Sequence, residues 1–232
     1  ATGLSKVDPS QADEVGKVKR FLSAHGALGK NEARKLIAQL RTQSGQSDEF
    51  LMALQRSTLL LPHIQSVFRS QNLPVGLARI PFVESSFNAR AGSKKGAMGI
   101  WQFMPETAEE LIHPHEEKLW NDPLRQTKSA AVLLRRQRNA LPDWGSAITA
   151  YNVGHGRIRR LLEQYKAKDF EALLNGPANQ ALGFAGQNFY AEVLAANIVE
   201  HYKADLFGWQ LTAGSEMARG GRLPKNPEQC DL

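Results

Sequence analysis

The chain has 232 residues, with 29 Lys and Arg against 23 Asp and Glu, a net charge of +6 and a pI near 9.5. At 42% hydrophobic and 22% charged it has the composition of a folded globular protein, which excludes a disordered polyelectrolyte. No apolar run approaches the roughly 20 residues of a membrane span, and the basic balance favours a polyanionic partner over a neutral one, with plain solubility the blander account.

The N-terminus, "ATGLSKVDPSQADEVGKVKR", has no apolar h-region and reads as lacking a signal peptide. That is compatible with a cytoplasmic protein, a processed exported one or a trimmed chain. Helices are predicted near 10–24, 30–43, 47–57, 62–72, 74–86, 105–112, 123–140, 144–152, 155–166, 168–174 and 186–204. Asp8-Pro9-Ser10, Asp122-Pro123 and Pro142-Asp143 look like helix entries, and Gly26 and Gly29 separate the first two helices. Residues 1–56 are amphipathic and charged without a chemical motif, and are expected to pack on a core domain over 57–208. "LGFAGQN" at 182–188 is predicted as a loop into the last long helix. From 209 onward clustered Gly and Pro predict a tail or docking arm, 209–232. Strand-like alternation is scarce, so the fold class expected is all-α.

Several chemistries drop out. The single cysteine, Cys230, allows no intramolecular disulfide and no Cys-based zinc site. His113-Pro114-His115 places two histidines across a proline, off any shared helix face, so no metal and no cofactor is expected. Gly16-Lys17 and Gly29-Lys30 lack the Ser or Thr of a P-loop. The basic runs "RRQR" at 135–138 and "RIRR" at 157–160 read first as solvated helix faces, and second as non-specific attraction to an anionic polymer.

One carboxylate stands out. On a helix at about 100° per residue, Leu73, Leu77 and Ile80 share a narrow sector with Glu84 in its middle. A charge on the core-facing stripe is costly unless paired or protonated. Desolvation raises a carboxyl pKa, which suits a general acid at neutral pH. The plainer alternative is a helix-end glutamate turned outward and paired with a base such as Arg90. Beyond it lie a loop of small, polar and basic residues with Ser93, Gly96 and Gly99, and then "IWQFMP". Amide and aromatic groups in a cleft suit sugar hydroxyls and ring faces. Farther on, "AITAYNVGHGRI" brings Tyr151 and Asn152, with Trp144 and Ile148 on the same helical face as Tyr151. That placement also fits a core tyrosine with a satisfied hydroxyl.

Glu84-Ser85, Ser93, Gly99-Ile100-Trp101-Gln102 and Ala150-Tyr151-Asn152 with Gly154 together resemble the lysozyme-like lytic transglycosylases of the soluble and membrane-bound families, the D-type group most closely. The resemblance runs from about 57 to 205. It implies a goose-type-lysozyme-like helical domain, peptidoglycan as substrate, a cell-envelope or periplasmic location, and neither nucleic acid nor cofactor. It also implies Glu84 as sole acid/base and Ser93 bonded near that carboxyl or the sugar. Gln102 and Met104 would line the groove, Tyr151 and Asn152 would complete its wall, and Tyr190 would lie close to the glutamate. The chain departs from the family's Leu-Met at Ile100-Trp101 and from its Glu-Thr at Gly186-Gln187.

The resemblance further implies that no water is consumed. Ordinary glycosidases use two carboxylates, about 5–5.5 Å apart for retention or 6.5–9.5 Å for inversion. Where goose-type lysozymes tend to carry aspartates, this chain has Ala97 and Met104, and Glu106, Glu109 and Glu110 read as first-turn helix residues after Pro105. A hydrolytic muramidase and a non-catalytic basic wall-binding helical module are the alternatives.

Overall fold

Helical periodicity with little β-branching produces an all-α protein in the computed structural model, which describes residues 46–112 and 120–207. The chain divides into two units, residues 1–48 and 49–232. The helices expected at 10–24 and 30–43, the His113-Pro114-His115 stretch and the tail from 209 lie outside the described residues.

Helix α1, Gln46–Ser70, runs through Pro62, where two helices were expected. The proline removes one donor. Ala53, Leu54, Leu61, Ile64 and Phe68 are buried on both sides of it, so packing holds the helix together across the missing bond. The segment expected as one helix at 74–86 is two elements, a 3-10 turn Val75–Arg79 and the short α2, Ile80–Ser85. The tighter winding changes the angular register, yet Leu73, Leu77 and Ile80 are buried as the stripe predicts.

There follow α3 (Pro105–Leu111), α4 (Pro123–Ala140), α5 (Trp144–Val153), α6 (His155–Tyr165), α7 (Phe170–Asn175), α8 (Asn179–His201) and α9 (Lys203–Phe207). Two of the entries read from sequence are true caps: Asp122 accepts from the Arg125 amide at 2.8 Å and Asp143 from the Ser146 amide at 2.7 Å. The other carboxylate oxygen of Asp143 accepts from the Phe170 amide at 2.9 Å, joining the starts of α5 and α7. Residues 182–188 are not a loop. α8 continues through them with a kink at Gly183 (φ 69°, ψ 168°), a conformation glycine reaches without a Cβ penalty.

Two apolar clusters form the interior. The larger gathers residues of α1, the 3-10 turn, α2, the loop after it, α4, α5 and the later half of α8. The smaller gathers Ala150, Ile158, Leu161, Phe170, Leu173 and Leu182 from α5, α6, α7 and the start of α8. Tyr190 packs against both, so α5 and α8 mark the seam between them. At its far end α8 is tied back to the 3-10 turn by Arg79–Glu200 at 2.6 Å, with Lys203 on the second oxygen at 2.9 Å. Burial pushes the Glu200 carboxyl up, but the bonds from Arg79 and Lys203 outweigh it and hold it below its ordinary value. This latch fixes α8 against the turn that leads into α2.

The basic runs hold structure together. Arg135 donates to the Gln71 carbonyl, Arg136 pairs with Glu110, Arg138 donates to the Leu141 carbonyl and Arg157 to that of Ala181.

Candidate active site

Helix α2 is only six residues long and ends without glycine. Ser86 (φ 50°) and Phe87 (φ 55°) both adopt the left-handed region, which costs a side-chain-bearing residue about 1–3 kcal/mol. The surroundings enforce it. Phe87 is buried, stacks edge-on against Phe82 at 4.6 Å and donates its amide to Pro81 at 3.1 Å, while Arg56 holds the Ser86 carbonyl. The next non-glycine residue with positive φ, Gln102 (φ 49°), closes the same loop. Strain is therefore concentrated on the segment that begins at Glu84.

Glu84 lies in the last turn of α2, partly buried, between Val83, which packs on the larger cluster, and Ser85. Its carboxyl makes no hydrogen bond or ion pair among the described residues, and Arg90, offered from sequence as its base, is not paired with it. Burial first, and then the charge of Glu192 on α8, raise its pKa from 4.5 to about 8. At neutral pH it is mostly a protonated acid. The phenol of Tyr151 is pushed well above 10, by burial and then by Glu84. Tyr151 is thus a neutral donor within electrostatic reach of the glutamate.

The loop's return leg is clamped to α4 and α5. Ile100 and Trp101 are fully buried, which accounts for a large residue pair at that point. The Trp101 ring lies against Phe68 at 5.8 Å, and its indole N–H donates to Thr127 at 3.0 Å. The buried amide of Gln126 accepts from the Trp101 N–H at 3.2 Å and donates to the Met98 and Trp120 carbonyls at 3.0 and 2.7 Å. Tyr151 Oη donates to the Trp101 carbonyl at 2.7 Å, and Ser85 Oγ to that of Ile100 at 2.8 Å. Gly99 makes this clamp possible: its φ is +74°, and a Cβ there would come within 2.3 Å of the Gln126 amide. Gly99→Ala is expected to destabilise the fold by about 3 kcal/mol or more, read as a lowered unfolding midpoint, because both the backbone and the buried amide must shift.

The residues singled out from sequence fall into three groups. Tyr151 lies within electrostatic reach of Glu84, and Tyr190 packs at the seam of the two clusters, where α8 meets α5. Tyr190 stands edge-on to Phe170 at 5.7 Å, and its hydroxyl has no partner among the described residues. Asn152 is exposed at the end of α5 with a free amide, and Met104 is 37% exposed. Ser93 and Gln102 serve the loop itself. Ser93 Oγ accepts from the Ala97 amide at 2.9 Å, and Gln102 Nε2 donates to the Gly99 and Ala91 carbonyls at 2.9 and 3.3 Å.

Sequence reasoning missed two residues. Gln126 was legible as a polar side chain one and two turns ahead of Ala130 and Leu134 on the buried stripe of α4. Glu192, exposed on α8, carried no local signal, because its proximity to Glu84 exists only after α8 docks on α2. Of the other acids considered, Glu106 lies in the first turn of α3 and Glu110 pairs with Arg136 at 2.7 Å.

Residues 64–174 match the family described as transglycosylase SLT domain. A protein of Alteromonas sp. (strain M-1) named for tributyltin chloride resistance is 34% identical over 117 residues, 49% of this chain and 56% of that protein. Membrane-bound lytic murein transglycosylase D of Escherichia coli (strain K12) is 31% identical over 103 residues, 43% of this chain and 23% of the relative. A transglycosylase of Enterobacteria phage PRD1 is 31% identical over 153 residues, 62% of this chain and 56% of the relative. The matched stretch thus spans from 23% to 56% of the length of these relatives.

Proposed function

We propose that the protein, whose residues 64–174 match the transglycosylase SLT domain family and fold as helices, is a peptidoglycan lytic transglycosylase with Glu84 as its acid and then its base. The observation that carries this reading is the state of Glu84: partly buried, without a cation partner among the described residues, and protonated up to a pKa of about 8. Such a group can give up a proton at neutral pH and take one back. The names of the E. coli and phage relatives support the reaction class.

In the proposed cycle, Glu84 donates its proton to the oxygen bridging N-acetylmuramic acid and N-acetylglucosamine. The C1–O4 bond breaks and leaves an oxocarbenium-like centre, relieved by the substrate's own N-acetyl group. The Glu84 carboxylate then removes the proton of the C6 hydroxyl as O6 bonds to C1. A 1,6-anhydro end forms, and the glutamate is protonated again. Tyr151, within electrostatic reach of the acid, keeps the loop carbonyl of Trp101 fixed. Tyr190, Asn152 and Met104 offer a free hydroxyl, an amide and a thioether to the sugars. The substrate argues for a periplasmic or other envelope location, and no helix of the described residues is long and apolar enough to cross a membrane.

One observation favours a second reading, hydrolysis. The carboxylate of Glu192 acts on Glu84 through space, and a paired carboxylate is what water activation requires. Product analysis separates the two. Mass analysis of digested wall is expected to give muropeptides lighter by one water than muramidase products and without a reducing end. Reducing-end products alone would establish hydrolysis instead.

A further inference from the structure

The loop that leaves α2 is basic, and neither the core nor the proposed chemistry uses that property. Its outer part is a stapled turn. The Ser93 amide donates to the Ala97 carbonyl at 2.9 Å, the Ala97 amide donates back to Ser93 Oγ at 2.9 Å, and the Gly96 amide closes on the Ser93 carbonyl at 3.0 Å. Gly96 takes φ +90° to do so. Below the turn, Gly92 bridges to Met98 and the Gly99 amide donates to Ala91 at 2.9 Å. Ser85 anchors the base next to Glu84.

At the centre of this turn stand Lys94 and Lys95, with Arg90 a few residues before them, all exposed. None of the three side chains has a hydrogen bond or ion pair among the described residues. Elsewhere Arg56, Arg79, Arg136, Arg138, Arg157 and Lys203 each hold a carbonyl or a carboxylate, and the cations that likewise have no partner among the described residues, Arg125, Lys128, Arg160 and Lys166, are spread over α4, α6 and the end of α6 and not gathered on one turn. Three like charges within six residues repel, and a pinned turn cannot spread them. Rigid presentation of unpaired cations stabilises nothing in the free protein. It lowers the ordering cost of binding an anion.

We propose that the Ser93–Ala97 turn is a carboxylate-recognition lip, in which Lys94 and Lys95, backed by Arg90, engage the acidic peptide stems carried by the glycan strand. This rests on the peptidoglycan reading and names the part of that substrate the loop meets. Sugar hydroxyls and N-acetyl groups are neutral and give an ammonium little, whereas stem carboxylates recur along the strand. Lysine suits them, being a mobile point charge that tolerates several carboxylate orientations. The turn lies beyond the Gly92–Met98 bridge, and Lys94 follows Glu84 by ten residues in the chain. It therefore acts on binding and not on proton transfer.

The test uses Glu84→Gln as a non-cleaving parent, sedimented with purified sacculi and with the same sacculi after their stem carboxylates are blocked as amides by carbodiimide coupling to an amine, which keeps the cross-linked wall insoluble. Adding Lys94→Gln and Lys95→Gln to that parent is expected to weaken binding to intact sacculi about fivefold, with the difference fading at high salt, and to leave binding to blocked sacculi as it was. On the active background the same pair of changes should raise KM on intact wall. Equal binding of parent and triple variant to intact sacculi would overturn the lip, and so would an equal loss on both materials. Wild-type protein that cleaves neither material would overturn the peptidoglycan reading itself, and the lip with it. Both lysines are exposed, and an unchanged unfolding midpoint shows that the variant folds.

Discussion

Glu84→Gln is expected to lower turnover of purified peptidoglycan by about a thousandfold or more while leaving the helical fold and wall binding in place. General acid and base contributions are each typically 10²–10⁴-fold, and one side chain performs both here. Glutamine keeps the size and polarity of the residue but has no proton to give. Of the other acids, Glu106 and Glu110 belong to α3 and its pairing with Arg136, and Glu200 is held ionised by Arg79 and Lys203, which leaves the exposed Glu192 as the carboxyl that acts on Glu84. The measurement is soluble muropeptide release with circular dichroism of the same preparation. Activity within tenfold of wild type would remove Glu84 from the chemistry.

The same substitution is expected to stabilise the protein at neutral pH. The folded-state pKa of Glu84, about 8, stands above its ordinary value of 4.5. The folded protein therefore retains a proton that the unfolded chain loses between those values. Stability is fully present below pH 4.5, falls as pH rises through that window, and is lowest above pH 8. At about 1.4 kcal/mol per pH unit the cost at pH 7 is at most about 3.5 kcal/mol, and less in practice because solvent reaches part of the side chain. Glu84→Gln escapes this penalty. Its unfolding midpoint should exceed that of wild type at pH 7–8, by roughly 2–4 °C per kcal/mol, and match it near pH 4. Identical midpoints across the range would mean that the carboxyl is not desolvated. Catalysis should depend on the same protonated form, with its alkaline limb near pH 8 as the acid loses its proton.

How much of this was legible in the residues depended on the range of the interaction involved. Caps are local, so Asp122 and Asp143 were readable as helix entries. The buried Leu73, Leu77 and Ile80 were readable because a 3-10 turn displaces the helical register only slightly. Pro62 and the "LGFAGQN" stretch misled because proline and glycine lower helix propensity, whereas long-range packing of Leu61, Ile64, Leu182 and Phe189 decides the outcome. At the site, Glu84 and Tyr151 announced themselves as polar groups on apolar faces. The resemblance put Ser93 near the carboxyl or the sugar and Gln102 along the groove; both side chains also bond within the loop, which the sequence does not show because those bonds depend on the strained backbone at Gln102 and the turn at Gly96. Glu192 could not be read at all, being more than a hundred residues from Glu84 in the chain.

The central idea is that the sugar's own C6 oxygen, and not water, closes on C1 while Glu84 moves the proton both ways. Digestion of purified peptidoglycan in water enriched in oxygen-18, followed by mass spectrometry, tests it most directly. Unlabelled anhydro ends are predicted, in wild type and in Glu192→Gln alike. Incorporation of one heavy oxygen at each new end, lost when Glu192 is replaced, would contradict the account and make this protein a hydrolase.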